Sequence, residues 1–261
     1  METIALKRLG AADLETEHIC CAIGDDKENR ARAAEKKALL ARRIPGGHVF
    51  LKADVRGKAF IEYGPAELAW APVGAPGWLY VQCFWVSGRF AGTGLGQRLL
   101  AAAEKDAEAA AGLVFLAAAK GKKPFLSDGR YLASKGYEVV DEALGFALFA
   151  KPGGKAGPAP RFSDGARSGV LAGAPAGVDL FWSAQCPFVP HFSREMARAA
   201  EAAGLPARLH EIDGPASARE LRAPPGIFQA YRDGRFLTQE LMTPEKFAKL
   251  LAAPGRTGAG A

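Results

Sequence analysis

The chain has 261 residues, 49% hydrophobic and 24% charged, with 34 Lys and Arg against 28 Asp and Glu for a net charge of +6. That is the composition of a globular protein able to bury a core. The opening METIALKRLG lacks a secretory h-region, no run nears the ~20 apolar residues that cross a bilayer, and the dispersed basic residues form no RNP, zinc-finger or basic-zipper pattern. A cytoplasmic protein without membrane or nucleic-acid partner is therefore expected, its four cysteines kept as thiols.

In chain order, residues 4–8 suggest a short strand. Residues 13–23 have the apolar spacing of a helix with Asp13 as N-cap, and 25–43 are filled with strong helix formers. Residues 48–53 and 59–63 are β-prone around the turn DVRGK, which predicts a hairpin, and 79–86, LYVQCFWV, predict a buried strand. A helix is expected over 94–111, a strand over 113–116, a helix over 125–135, and strands over 137–140 and 145–150. Residues 151–176, rich in Gly, Pro, Ala and Ser, read as a linker with room for one short strand. Together these predict an α/β fold with a mixed sheet, organised as a first domain 1–151, a linker 152–176, a second domain 177–252 and a frayed tail 253–261.

The segment VSGRFAGTGLGQRLL turns from a strand into a helix through Gly92, Gly94 and Gly96. Glycines permit a sharp turn and close ligand approach, and the first amides of the helix favour negative charge, so the turn can cradle a phosphate or pyrophosphate. It is neither a Rossmann fingerprint nor a P-loop: the third glycine is misplaced, no acidic residue follows at the required distance, and no GK[ST] is present. A tight strand–helix connection without a ligand is the bland alternative.

With its flanks, this segment resembles the acetyl-CoA signature of the GNAT family. Gly94 and Gly96 match the family's Gly-x-Gly, Leu99 and Leu100 its helix, and Ala91 stands where Arg or Gln is usual, with Arg89 and Arg98 nearby as sources of charge. RYLASKGYEVV resembles the helix and Gly-aromatic strand that follow in that family. The family's thiolate-protonating tyrosine would stand at Leu132, and Tyr131 lies one step earlier. HICCAI, FIEYGPAELAW, CFWVSG and KKPFLSDGRYLASKGYEVV together resemble the YoaP-type N-acetyltransferases, a GNAT subgroup with a small C-terminal domain. The resemblance implies acetyl-CoA as cofactor, held by Phe84, Val86, Ala91, Gly92, Thr93, Gly94, Gly96 and Gln97, a small-molecule acceptor, and subunits that pair as a homodimer.

The implied chemistry is attack of an amine on the acetyl thioester, its oxygen held by an amide where strand pairing breaks near 84–86. A base is wanted because an alkylamine is mostly protonated at neutral pH; Glu62 in FIEY is the candidate, or else a solvated strand residue, with Glu67 and His18 as alternatives. Catalytic candidates are thus Glu62, Tyr131 and Cys83. Cys20, Cys21 and Cys83 read as three small buried residues, as thiols able to accept the acyl group, or as zinc ligands, the last hindered because adjacent residues of a helix diverge by about 100°. Trp70 and Trp85 read as packing or as acceptor-pocket walls.

After residue 176 come a strand, a loop and a helix opening at Cys186-Pro187, another strand, a short helix, a hairpin turning at Asp233-Gly234, and a helix capped by Thr243 with Pro244 at its first position. This order resembles the thioredoxin fold. CPFV sits where glutaredoxins carry Cys-Pro-aromatic-Cys, Val189 replaces the second cysteine, and Pro225 resembles the cis-proline of that fold. At a helix N-terminus the Cys186 thiol is expected to be acidified, making a possible thiol site of Cys20, Cys21 and Cys186. Three functions stay open at this point: an acetyltransferase acting on a small amine or a thiol, a thiol-redox protein acting through Cys186, and a non-catalytic coenzyme A sensor.

Overall fold

In the computed structural model, which describes residues 4–24 and 26–253, the chain opens with strand β1 (Leu6–Arg8). The helix predicted over 13–23 does not form. A single 3-10 turn, Ala12–Leu14, stands in its place, and the Asp13 carboxylate turns back to accept the Gly10 amide at 2.8 Å instead of capping forward. Tertiary ties override the local pattern here: Glu17 is bound by Lys7 and Lys52, His18 Nε2 lies 3.1 Å from the Gly57 backbone, and Cys20 adopts a positive φ of 46°. Helix α1 (Lys27–Arg43) then starts behind Asp26, whose side chain accepts the Asn29 amide; Asp25, included in the predicted helix, is outside the described residues.

Strands β2 (Val49–Ala53) and β3 (Ala59–Pro65) form the predicted hairpin, and a two-residue strand β4 (Val73–Gly74) precedes β5 (Leu79–Val86). Helix α2 (Leu95–Ala107), β6 (Gly112–Ala118), α3 (Gly129–Ser134), β7 (Glu138–Ala143) and β8 (Phe146–Pro152) follow. Helix α3 is shorter than predicted because Phe125 takes a positive φ of 65° and Asp128 caps the helix on the Arg130 amide. The sheet order is β1-β2-β3-β5-β6-β8-β7, antiparallel except for β5 beside β6. On one face, α2 covers a core holding Ile61, Tyr63, Val81, Leu99 and Phe115; on the other, α1 and the segment before it cover Phe50, Phe60, Leu40 and Ile19.

Residues 152–176, read as a linker, begin with the last residue of β8 and are tied down at many points. Strand β9 (Arg161–Phe162) pairs with β4, the Ser163 amide reaches Pro72 O, and the Phe162 amide reaches Asp141. Farther on, Gly169 donates to Arg222 O and accepts from Phe236, while Leu171 donates to Gly234 O.

The remaining elements are β10 (Val178–Trp182), α4 (Val189–Ala202), β11 (Ala207–Glu211), α5 (Pro215–Arg219), β12 (Phe228–Arg232), β13 (Arg235–Thr238) and α6 (Pro244–Ala252). Their sheet has the order β11-β10-β12-β13, with β10 parallel to β11 and the other pairs antiparallel. Thr243 caps α6, as predicted; every described peptide bond is trans, including the one before Pro225, where a cis bond was expected.

The second sheet is fastened to the first. Gln185 Nε2 donates to Trp70 O at 3.2 Å and Gly226 O at 3.1 Å, Arg43 donates to Gln185 Oε1, and Arg219 donates to Glu67 O. Leu39 and Trp70 share an apolar cluster with Ile212, Ala218 and Leu221. At Gly226 the backbones approach so closely that a Cβ would lie 2.1 Å from Trp70 O.

Candidate active site

β5 pairs with β6 only from Leu79↔Leu113 to Val81↔Phe115, although both strands run on. The sheet is therefore open from Gln82 to Val86. Beyond Val86, a 3-10 turn at Gly88–Phe90 leads through Gly92 and Gly94, at φ 75° and 82°, into α2. A Cβ at either glycine would meet nothing within 4 Å, so the left-handed backbone is what demands glycine here. Gly96 lies deeper: its Cβ position is 3.6 Å from Val86, 3.7 Å from Phe84 and 3.9 Å from the Tyr131 hydroxyl.

The amides of Ala91 and Thr93 bond to Gly88 O and Phe90 O, so these two predicted cofactor contacts are engaged within the turn. Among the described residues, the N–H groups of Gly92, Gly94, Leu95, Gly96 and Gln97 have no acceptor. Five free donors at a helix N-terminus form the kind of cradle that a pyrophosphate fills. Arg98 donates to Ile4 O and is removed from the role of nearby charge; Arg89 lies over the Phe90 ring.

Tyr131 lies beside this cradle despite its one-step offset in sequence. Leu132, at the position the family signature gives to tyrosine, is in the core, whereas the Tyr131 ring sits 6.0 Å from Phe84. Its hydroxyl is buried without a hydrogen-bond partner among the described residues, and burial together with the Glu104 charge raises its pKa, leaving a protonated donor at the open edge of β5.

On the α1 face, Glu62 stands opposite Cys83 in the β3–β5 register. It is 1% exposed; Lys36 Nζ lies 2.5 Å and His48 Nε2 2.8 Å from the same oxygen. Burial alone would raise its pKa, but the Lys36 charge and the His48 hydrogen bond prevail and hold it at about 2. Held in this ion pair and kept below the usual carboxylate range, Glu62 is a weak base, which speaks against the expectation that it takes the proton of the amine. The alternatives are engaged too: His18 at Gly57, and Glu67 by the Gly77 amide at 2.6 Å.

Cys20, Cys21 and Cys83 pack in one apolar cluster, and Cys186 lies close enough for its charge to couple with theirs. Burial pushes all four thiols up, Cys21 to about 11, and Cys83 well above the ordinary range. Cys20, Cys21 and Cys83 thus sit as small residues packed in an apolar cluster, and the expected acidification of Cys186 is corrected, because desolvation there outweighs the Phe188 and Val189 amides. No group of three or more potential ligands among the described residues could hold a metal ion. Trp70 is buried beneath Arg43, while Trp85 is 44% exposed and bonds Ser87.

Two residues beside these candidates, Lys36 and Gln82, belong to no motif of the sequence. Lys36 is one charge among many in α1. Gln82 carried a signal, as the one amide side chain inside an apolar strand.

An opened mixed sheet with unpaired amides at the strand–helix turn is the arrangement that suits a coenzyme A-dependent transferase. The model of the acetyltransferase (GNAT) family matches residues 13–124. The uncharacterized N-acetyltransferase YoaP of Bacillus subtilis (strain 168) is 34% identical over 242 residues, 92% of this chain and 95% of that protein. The chain belongs to the acetyltransferase (GNAT) family and is an acyltransferase with acetyl-CoA as its cosubstrate. Among solved structures, the PaiA N-acetyltransferase of Thermoplasma acidophilum in complex with coenzyme A is 17% identical, covering 58% of this chain and 99% of its own, with a TM-score of 0.40. A GNAT family acetyltransferase from Brucella melitensis in complex with acetyl-CoA is 16% identical, covering 60% and 94%, with a TM-score of 0.34.

Proposed function

We propose that the enzyme transfers the acetyl group to the nitrogen of a small amine, by direct attack within the opening between β5 and β6. The observation that carries this reading is the set of free amides at Gly92 and from Gly94 to Gln97, which suits a diphosphate. Acetyl-CoA supplies the activated thioester. The edge of β5 that β6 leaves after Val81 offers backbone N–H groups toward the thioester oxygen, and the Tyr131 hydroxyl gives its proton to the departing thiolate. With Glu62 locked in an ion pair, the amine loses its proton to solvent.

Residues 1–151 form the acyltransferase unit in this reading, and 177–252 form a thioredoxin-like unit, supported by the order and directions of β10 to β13. The second unit serves as a wall, because the raised Cys186 thiol and Val189 in place of a second cysteine do not suit redox turnover. Four free thiols suit a reducing cytoplasm. The test is calorimetric titration with acetyl-CoA, then an assay of thiol release over a panel of amines. Tight binding with amine-dependent release is expected; absence of binding removes the reading.

A further inference from the structure

The β3–β5 register slips at one place: Glu62 pairs with Cys83 but Tyr63 with Val81, which makes Gln82 the extra residue of a β-bulge. It is also the first residue beyond the last β5–β6 pair. Val81 and Phe84 both pack toward α2, so the two residues between them turn to the α1 face, where Cys83 meets the cluster of Cys20, Phe50 and Phe60. The Gln82 amide oxygen is buried there without a hydrogen-bond partner among the described residues. A buried orphan of this kind points to a partner that arrives from outside the chain, and an amide oxygen requires that partner to be a donor.

The charges on this face narrow the donor. Lys36 and Arg43 come from α1, Glu62 from β3, His48 and Lys52 from the β2 segment, and Glu17 and His18 from the segment before α1; the thiols of Cys20, Cys21, Cys83 and Cys186 stand among them. Both carboxylates are bridged, Glu62 by Lys36 and Glu17 by Lys7 and Lys52. Among these described groups an ammonium ion meets no carboxylate that is not already bridged, whereas an uncharged N–H donor finds the Gln82 oxygen.

We propose that Gln82 is a specificity-determining residue whose amide oxygen accepts a hydrogen bond from the attacking nitrogen of a weakly basic amine, of the arylamine class, that arrives uncharged. The inference rests on the amine-transfer reading above. No proton moves to Gln82: the nitrogen lone pair forms the amide bond, the carbon–sulfur bond breaks, and the proton displaced from nitrogen goes to water.

The experiment compares the full-length enzyme with Gln82→Leu and Gln82→Glu, using acetyl-CoA with aniline or benzylamine. At pH 7 the wild type is expected to prefer aniline, with benzylamine turnover rising about tenfold per pH unit as its ammonium form is deprotonated. Gln82→Leu should raise the KM for aniline by about five- to tenfold, as loss of one hydrogen bond implies, and leave acetyl-CoA affinity unchanged. Without acceptor its thermal midpoint should equal or exceed that of the wild type, because the lost oxygen has no partner to leave behind. Gln82→Glu should shift preference toward benzylamine. A lowered midpoint for Gln82→Leu, an unchanged KM, or wild-type preference for benzylamine at pH 7 overturns the role of Gln82. Wild-type enzyme that binds acetyl-CoA yet releases no thiol with either amine overturns this inference, and silence across a wider amine panel also overturns the amine-transfer reading beneath it.

Discussion

Glu62 and Lys36 meet in a nearly dry pocket, 1% and 0% exposed, with His48 on the same carboxylate oxygen. The folded pKa of Glu62, about 2, lies below its unfolded value of ~4.3, so its stabilisation is complete above that value and is lost as pH falls toward 2. Glu62→Gln is expected to remove this acid-sensitive limb of stability. It also strands the Lys36 ammonium, at a cost of about 3–5 kcal/mol, or roughly 6–20 °C in thermal midpoint. Calorimetry from pH 3 to 7 reads both effects, and a Lys36→Met companion change should restore much of the loss. Tyr131→Phe should lower kcat about 100-fold with little change in acetyl-CoA affinity, the low end of general-acid effects because a thiolate leaves readily. Its midpoint should not fall, since the hydroxyl has no hydrogen-bond partner among the described residues. Sequence showed Tyr131 and Glu62 as candidates but not their surroundings: no local pattern reveals that a lysine 26 residues away closes over a carboxylate.

At the scale of elements, the turn between β5 and α2 joins local chemistry to ligand geometry. Gly94 caps α2 at φ 82°. Gly94→Val is therefore expected to cost about 1–2 kcal/mol of stability and to weaken acetyl-CoA binding at least about tenfold, by tilting the free amides out of line. Titration calorimetry separates the two effects. This turn was legible because its information is local: an apolar strand, glycines at fixed spacing, then a helix. The segment 13–23 shows the opposite case. Its apolar spacing fits a helix, yet Glu17 and His18 are anchored on residues of β1 and of the β2–β3 hairpin, and those contacts decide the conformation. The bulge at Gln82 was hidden for a related reason, since register belongs to a pair of strands and cannot be read from one of them.

For the whole molecule, the contact between the two sheets depends on close backbone approach as much as on apolar area. Gly226→Ala would drive a Cβ into Trp70 O, and Gln185, which bonds both Trp70 and Gly226, would lose its geometry. The expected outcome is a loss of stability above about 2 kcal/mol, with one calorimetric transition separating into two as the sheets uncouple. The segment after β8 carries a last consequence. It reads as a tether in sequence, yet it pairs with β4 and bonds Arg222, Gly234 and Phe236, working as mortar between two courses. A protease that nicks the exposed turn at Gly173 should therefore not liberate two fragments: both pieces should travel as one particle on a sizing column and separate only in denaturant.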